Sequence, residues 1–437
     1  MASYRRAHAS ADSHSSDTGT AARNAPRGPH PRRASGLHAR AAVAGLILAI
    51  AAAGCGAAGT TSPATLAPST APSVTTGTVQ LTSAPAATAS PKPAPTIASP
   101  EFAATGSLAT ARVDASATLL KNGRVLVAGG APSTGGLAYD SAELYDPHSK
   151  TFLPASSMQE AASAHTATLL TSGRVLLAGG TVGPKTVEQT TQLLDPTTNK
   201  FQLGGAMAIY RLGQSATLLP DGRVLVAGGT SGLALLASAE LYDPATDKFT
   251  GTGSMITARR DQTASLLPDG RVLVAGGTGT AGPLKSAEIY DPKTGKFKAT
   301  ASMESPRAGH TATVLNGGDV LIVGGSDKAP TAELYDSTMG KFATVGAMSV
   351  ARTGQTATLL PNGEVLITGG WNQTGVLATA EIYGSVSRKF RSIGSMATAR
   401  TNHTATLVLS SYVLIVGGSD GKAALASAEL YGPVTGS

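Results

Sequence analysis

Six arginines occupy one place in a recurring pattern: Arg112, Arg211, Arg259, Arg307, Arg352 and Arg400 each follow a phenylalanine by ten residues, and Ala162 takes that place in the remaining copy. Guanidinium groups arranged around one axis would suit a carboxylate or sugar-acid ligand, which they bind in bidentate fashion. A second series points inward instead. Glu143, Glu240, Glu288, Glu333, Glu381 and Glu429 recur at another fixed place, and the copy without Arg is the copy in which Gln192 replaces Glu. Joint loss implies internal partners: each Arg reaches across a Gly-Gly pair to the Glu of its own unit. Removing one member of such a buried pair strands a charge, at about 3–5 kcal/mol.

Three residues beyond the arginine position stand Ala115, His165, Gln214, Gln262, His310, Gln355 and His403. Three histidines in a circle raise the question of a metal. They belong to the second, fifth and seventh copies, and no Cys or inserted carboxylate accompanies them. Hydrogen bonds to backbone at a channel wall are the expected use, with no metal and no cofactor. Trp371, followed by Asn372 and Gln373, is a candidate for stacking on a sugar or anchoring a partner; the competing use is packing over its own unit. No glycine-rich phosphate loop and no Ser/His/Asp set in register occurs, so no catalytic residue is assigned.

The elements that place these residues are set by a period. Gly-Gly pairs fall at 129/130, 179/180, 228/229, 276/277, 324/325, 369/370 and 417/418, spaced by 45 to 50 residues, which marks a ring or stack of repeated units. Within a unit, SATLL and RVLVAGG read as two strands joined at a Pro-Asp-Gly turn. VLVA is apolar at consecutive positions, so both faces of that strand are covered. AELYDP reads as a third strand and the residues around Lys-Phe as a fourth. Four antiparallel strands repeated radially make a β-propeller blade.

The Gly-Gly pair, then Tyr, then an aromatic residue seven positions later resembles the kelch-repeat family over residues 101–437. Phe stands where that family usually has Trp, and Leu194 replaces Tyr in the second unit. The resemblance implies an all-β, seven-bladed propeller. It also brings in copper radical oxidases resembling galactose oxidase, and bacterial sialic acid epimerases. The oxidase chemistry requires a cysteine cross-linked to a tyrosine, whereas Cys55, the sole cysteine here, precedes the fold. A non-enzymatic module is the expectation.

Each of the seven phenylalanines lies 28 residues before the second Gly of a pair, and six lie seven residues after Tyr or Leu194. Phe102 has no preceding strand and Tyr431 no following Phe. The stretch near Phe102 is therefore expected to supply the fourth strand of the last blade and so close the ring. Only the interval from Gly to Tyr varies, between 10 and 15 residues, so every insertion falls in the loop between second and third strands. Recognition is expected on that face.

Net charge is +7, but residues 1–54 carry seven Arg against two Asp, leaving a nearly balanced body that excludes a nucleic-acid surface. An apolar run from Ala41 to Gly54 suits an export signal and is too short to span a bilayer. With Cys55 directly after it, residues 1–54 resemble a bacterial lipoprotein signal with its lipobox. Residues 55–100 are Ala, Pro, Ser and Thr with little charge, which cannot offset their ordering entropy. The sequence thus leads to a monomer outside the cytoplasmic membrane, lipid-anchored or, if the lipobox is not used, secreted, binding an envelope protein or an extracellular glycan. The alternative is a carbohydrate-active enzyme using the channel mouth.

Overall fold

The computed structural model describes residues 100–184 and 186–434. The signal segment, Cys55 and almost all of the linker lie outside them. The described chain forms seven four-stranded antiparallel sheets and no helix. Blade 1 shows the plan: Ser116–Leu119 innermost, then Val125–Ala128, Ala142–Asp146 and Thr151–Pro154 outermost.

The second strands are apolar but for Thr368 of blade 6, because each is walled on both sides. Val125–Ala128, Val224–Ala227 and Val272–Ala275 are buried at every position. Seven apolar clusters fill seven blade interfaces, and each draws on two neighbours. Leu225 and Ala227 of blade 3, for example, meet Val272, Val274 and Tyr290 of blade 4. No blade keeps an open face, which fixes the assembly as a closed ring.

The turns follow from local chemistry. The Asp221 carboxylate accepts from the Arg223 amide at 3.0 Å, and Gly222 takes φ 86°, which costs a glycine little. At the Asp-Pro turns the carboxylate of Asp243 accepts from the Ala245 amide at 2.9 Å. The third strand pairs with the fourth so that Tyr faces Phe. In blade 2 Leu194 faces Phe201 instead.

Blade 7 is built from both ends of the chain. Thr404–Val408, Tyr412–Val416 and Ala428–Gly432 receive Glu101–Ala104 as their outermost strand, with Phe102 opposite Tyr431. The last cluster closes in the same way, with Val125, Val127 and Tyr145 of blade 1 against Val408, Leu414 and Val416 of blade 7.

The variable loops carry more structure than their lengths suggested. Three fold into two-stranded hairpins, at Thr181–Gly183 with Thr186–Val187, Thr278–Gly279 with Gly282–Pro283, and Trp371–Asn372 with Gly375–Val376. Bridges such as Val113 to Ala131 and Arg260 to Thr278 tie six of these loops to the segment entering the innermost strand of the same blade, and Ser326 of blade 5 bridges Arg352 of blade 6. Both loop classes therefore share one face.

Candidate functional site

The six arginines are fully buried and each is held within its own blade. Arg307 Nη2 lies 2.9 Å from Glu333 Oε1, and its Nη1 donates to the carbonyls of Gly324 and Thr331 at 2.8 and 2.9 Å. The same set recurs for Arg112–Glu143, Arg211–Glu240, Arg259–Glu288, Arg352–Glu381 and Arg400–Glu429, with ion-pair distances from 2.7 to 3.0 Å. The glutamate does double work: Glu333 also accepts from the amides of Glu304 and Ser305, which orders the incoming loop. Burial lowers the pKa of Arg112, Arg259, Arg352 and Arg400, and the facing glutamates oppose that shift.

The bare Gly-Gly pair has a further reason. A Cβ on Gly276, at φ 60°, would lie 2.7 Å from His310 Cε1 and 2.8 Å from the Arg307 carbonyl, both of the next blade. The first glycine is thus where neighbouring blades touch. His165, His310 and His403 each reach back to the preceding blade, and their partners are hydroxyls where backbone groups were expected. His165 Nε2 meets Ser116 Oγ at 2.8 Å and His310 Nε2 meets Thr263 Oγ1 at 2.9 Å. His403 Nε2 meets both Thr356 and Thr368 at 3.0 Å. Gln214, Gln262 and Gln355 make the equivalent reach to backbone carbonyls, each at 2.8 Å. Desolvation pushes the histidines down, His165 to about 4 and the other two to about 3. They act as neutral clasps at three separate blade interfaces, and the structure does not bring them together.

What the channel mouth presents on the loop face is a different circle. One residue before each clasp stand Asp114, Ala164, Gly213, Asp261, Gly309, Gly354 and Asn402, all at positive φ. Backbone bonds link neighbours around it, as from Ala164 N to Asp114 O at 2.9 Å and from Asn402 N to Gly354 O at 3.0 Å. Asp114 accepts from Asn402 Nδ2 at 2.9 Å, and burial raises its carboxyl pKa. Burial also raises Asp261, which pairs with Arg260 at 2.9 Å; its side chain keeps 41% of its area open, so solvent screens more of the effect there. A column of Asp, Asn and Gly two residues after the arginine was the sequence signal for this circle, since those types tolerate left-handed backbone.

Trp371 opens its hairpin with 43% of its surface exposed, fixed by paired backbone bonds to Thr353. Asn372 is turned to local use: its amide donates to Ala351 O at 3.0 Å and its oxygen accepts from Thr374. Gln373 is exposed at the hairpin tip. Leu137, Leu233 and Tyr210 are also exposed on this face. Two recesses of 520 and 650 Å³ lie elsewhere. One opens at the turn-bearing end around Asp221, Arg271 and Asp291, the other along the groove where Lys298 of blade 4 faces Met339 of blade 5.

The Kelch motif is recognised at residues 212–256 and 259–304, which are the third and fourth units. No curated protein sequence matches the chain. Among solved structures it is similar to a novel fungal alcohol oxidase of the AA5 family with catalytic diversity, in complex with copper. The two are 18% identical, with 76% of each chain covered and a TM-score of 0.65, a likeness of fold. The chain is thus a seven-bladed β-propeller that carries Kelch motifs in its third and fourth units and shares its fold with that oxidase. The three histidines are spent on separate clasps, and among the described residues no three His, Cys, Asp or Glu side chains come together to hold a metal.

Proposed function

We propose that the protein is an exported recognition module, tethered by an acylated Cys55, whose loop face takes an extracellular glycan or an envelope protein. One observation carries this. The arginines and histidines are consumed inside the ring, whereas length variation, hairpins and the exposed side chains of Leu137, Tyr210, Leu233 and Trp371 gather on the loop face. Such a rim offers apolar and aromatic anchors without an enclosed cavity, which suits an extended ligand. The closed ring leaves no blade face to pair, in keeping with a monomer. Glycan-array screening and envelope pull-down with the purified protein test the proposal. Capture should be lost with Trp371→Ala, and capture indifferent to every loop-face substitution would remove it.

A second reading has one observation in its favour. Asp114 and Asp261, both raised in pKa, stand at the channel mouth, and perturbed carboxyls are frequent at catalytic sites. A carbohydrate-active enzyme working there would turn over sialic acids or sugar alcohols, and Asp114→Asn would abolish turnover.

A further inference from the structure

Blade 2 differs from its six neighbours at three linked positions. Ala162 replaces Arg and Gln192 replaces Glu. Glu188 stands where four blades have Leu236, Leu284, Leu377 and Leu425, and blade 1 has Tyr139. The equivalence of Glu188 and Tyr139 is structural, since each amide donates to the second glycine of its pair, at 2.9 and 2.8 Å. In blade 1 that residue covers the guanidinium: Arg112 Cζ lies 5.7 Å from the Tyr139 ring centroid. In blade 2 the equivalent residue is a carboxylate, whose Oε2 accepts from Thr190 Oγ1 at 3.3 Å.

The carbonyl and hydroxyl part of the receptor for that guanidinium is kept. In six blades Nη1 donates to the first-glycine carbonyl and to a Ser or Thr carbonyl, and Nη2 to that residue's hydroxyl, as Arg259 does to Gly276, Ser286 O and Ser286 Oγ at 2.9, 2.9 and 3.0 Å. The counterparts in blade 2 are Gly179 O, Thr190 O and Thr190 Oγ1. The backbone frame is kept. Ala162 N reaches Tyr139 O at 3.2 Å, just as Arg259 N reaches Leu236 O at 3.2 Å. Gln192 Oε1 accepts from the amides of Gln159 and Glu160 at 2.7 and 3.2 Å, as the glutamate does from its loop, and its Nε2 donates to Glu160 O at 2.8 Å. Among the described residues no side chain donates to Gly179 O or Thr190 O.

We infer that blade 2 carries a seat for a guanidinium group supplied from outside, the arginine side chain of a partner protein. Two carbonyls and a hydroxyl in this layout match the planar fork of arginine better than the point charge of lysine. The placement of charge is consistent with a seat that fills and empties. A buried glutamate at position 192 would be stranded whenever the cation left, and Gln192 avoids that cost. The balancing charge sits instead at Glu188, half-buried at the rim, where its Oε2 accepts from Thr190 Oγ1 at 3.3 Å and water can serve it when the seat is open. The identity of the partner as a protein rests on the loop-face module proposed above; the seat itself does not.

The test uses the full-length protein and methylguanidinium at millimolar concentration, with methylammonium, urea and sodium chloride as controls, read by melting temperature and NMR shifts. The wild type should show saturable binding of methylguanidinium above all controls. Ala162→Arg combined with Gln192→Glu fills the seat from within and should abolish the response. Should that variant fail to fold, Glu188→Leu, which copies four other blades, should weaken binding at least tenfold. An equal response in wild type and variants, or none in either the wild type or Lys185→Met, overturns the seat. Tighter binding of methylammonium would reassign it to lysine. Lys185, in the same loop, lies outside the described residues, and binding that emerges only in Lys185→Met would give the seat to the chain's own ammonium. Methylguanidinium binding without capture of any arginine-bearing partner keeps the seat and removes the module.

Discussion

Phe102 and Tyr431 stand at opposite ends of the folded chain, yet their rings pack 4.8 Å apart at 46°, the same arrangement as Tyr290 with Phe297 inside a single repeat. The first strand thus completes the seventh sheet with the geometry of any other blade. Deleting residues 101–106 should destabilise the entire ring in one cooperative transition, because it uncovers the blade 7 edge and loosens two interfaces. Phe102→Ala should cost no more than about 3 kcal/mol, the lower end for such truncations, since that ring is only half-buried. Urea denaturation decides it, and a truncated protein that unfolds like the intact one removes the closure.

Arg307 and Glu333 form one unit with the loop amides they order. Arg307→Ala alone should cost about 3–5 kcal/mol by stranding a buried carboxylate. Adding Glu333→Gln recreates the Ala/Gln pair that blade 2 already carries, so the double variant should be more stable than the single one. Additive penalties in a double-mutant cycle would show that the two residues are not coupled.

Acid should weaken the ring through its clasps. His165, His310 and His403 titrate near 6.5 when unfolded but only near 4, 3 and 3 when folded, so the unfolded chain binds more protons between those limits. Their contribution is complete above about pH 6.5 and is lost as pH falls toward 3–4. The triple variant to Gln, the residue found at the same place in blades 3, 4 and 6, should show a flatter decline of melting temperature from pH 6.5 to 4. An unchanged slope would acquit the histidines.

The seam between blades 7 and 1 is the one interface without a clasp. Ala115 stands where the others have His or Gln, and Thr404 Oγ1 is buried without a partner. A Cβ on Gly417 would meet the Arg112 carbonyl but no clasp side chain, unlike its six counterparts. Ala115→Gln, aimed at the Val416 carbonyl as Gln214 is at Ala178, should stabilise by about 1 kcal/mol. A fall in melting temperature would mean that the space is already filled.

Much of the fold was legible because each element is specified locally. Apolar runs such as VLVA declare a strand covered on both sides, and the constant spacing from Phe to Gly and from Tyr to Phe counts strands and blades. The coincident loss of Arg and Glu in unit two pointed to their pairing, because a stranded charge is too costly to keep. The hydroxyl partners of the histidines could not be read in the same way. Ser116, Thr263 and Thr356 belong to the neighbouring unit, some 47 to 49 residues away, and only the rotation between blades brings them into reach.

By itself, then, the order of residues determined the number of blades, the join of the two chain ends and the face on which loops vary, since all three follow from spacing along the chain. Only the tertiary structure decided that the arginine and histidine circles are sealed inside, that Asp114, Asp261 and Asn402 ring the mouth in their place, and that Glu188 of blade 2 takes the backbone place of Tyr139 in blade 1. Those facts depend on which way a side chain turns and on what the next blade presses against it, and neither is encoded in a spacing.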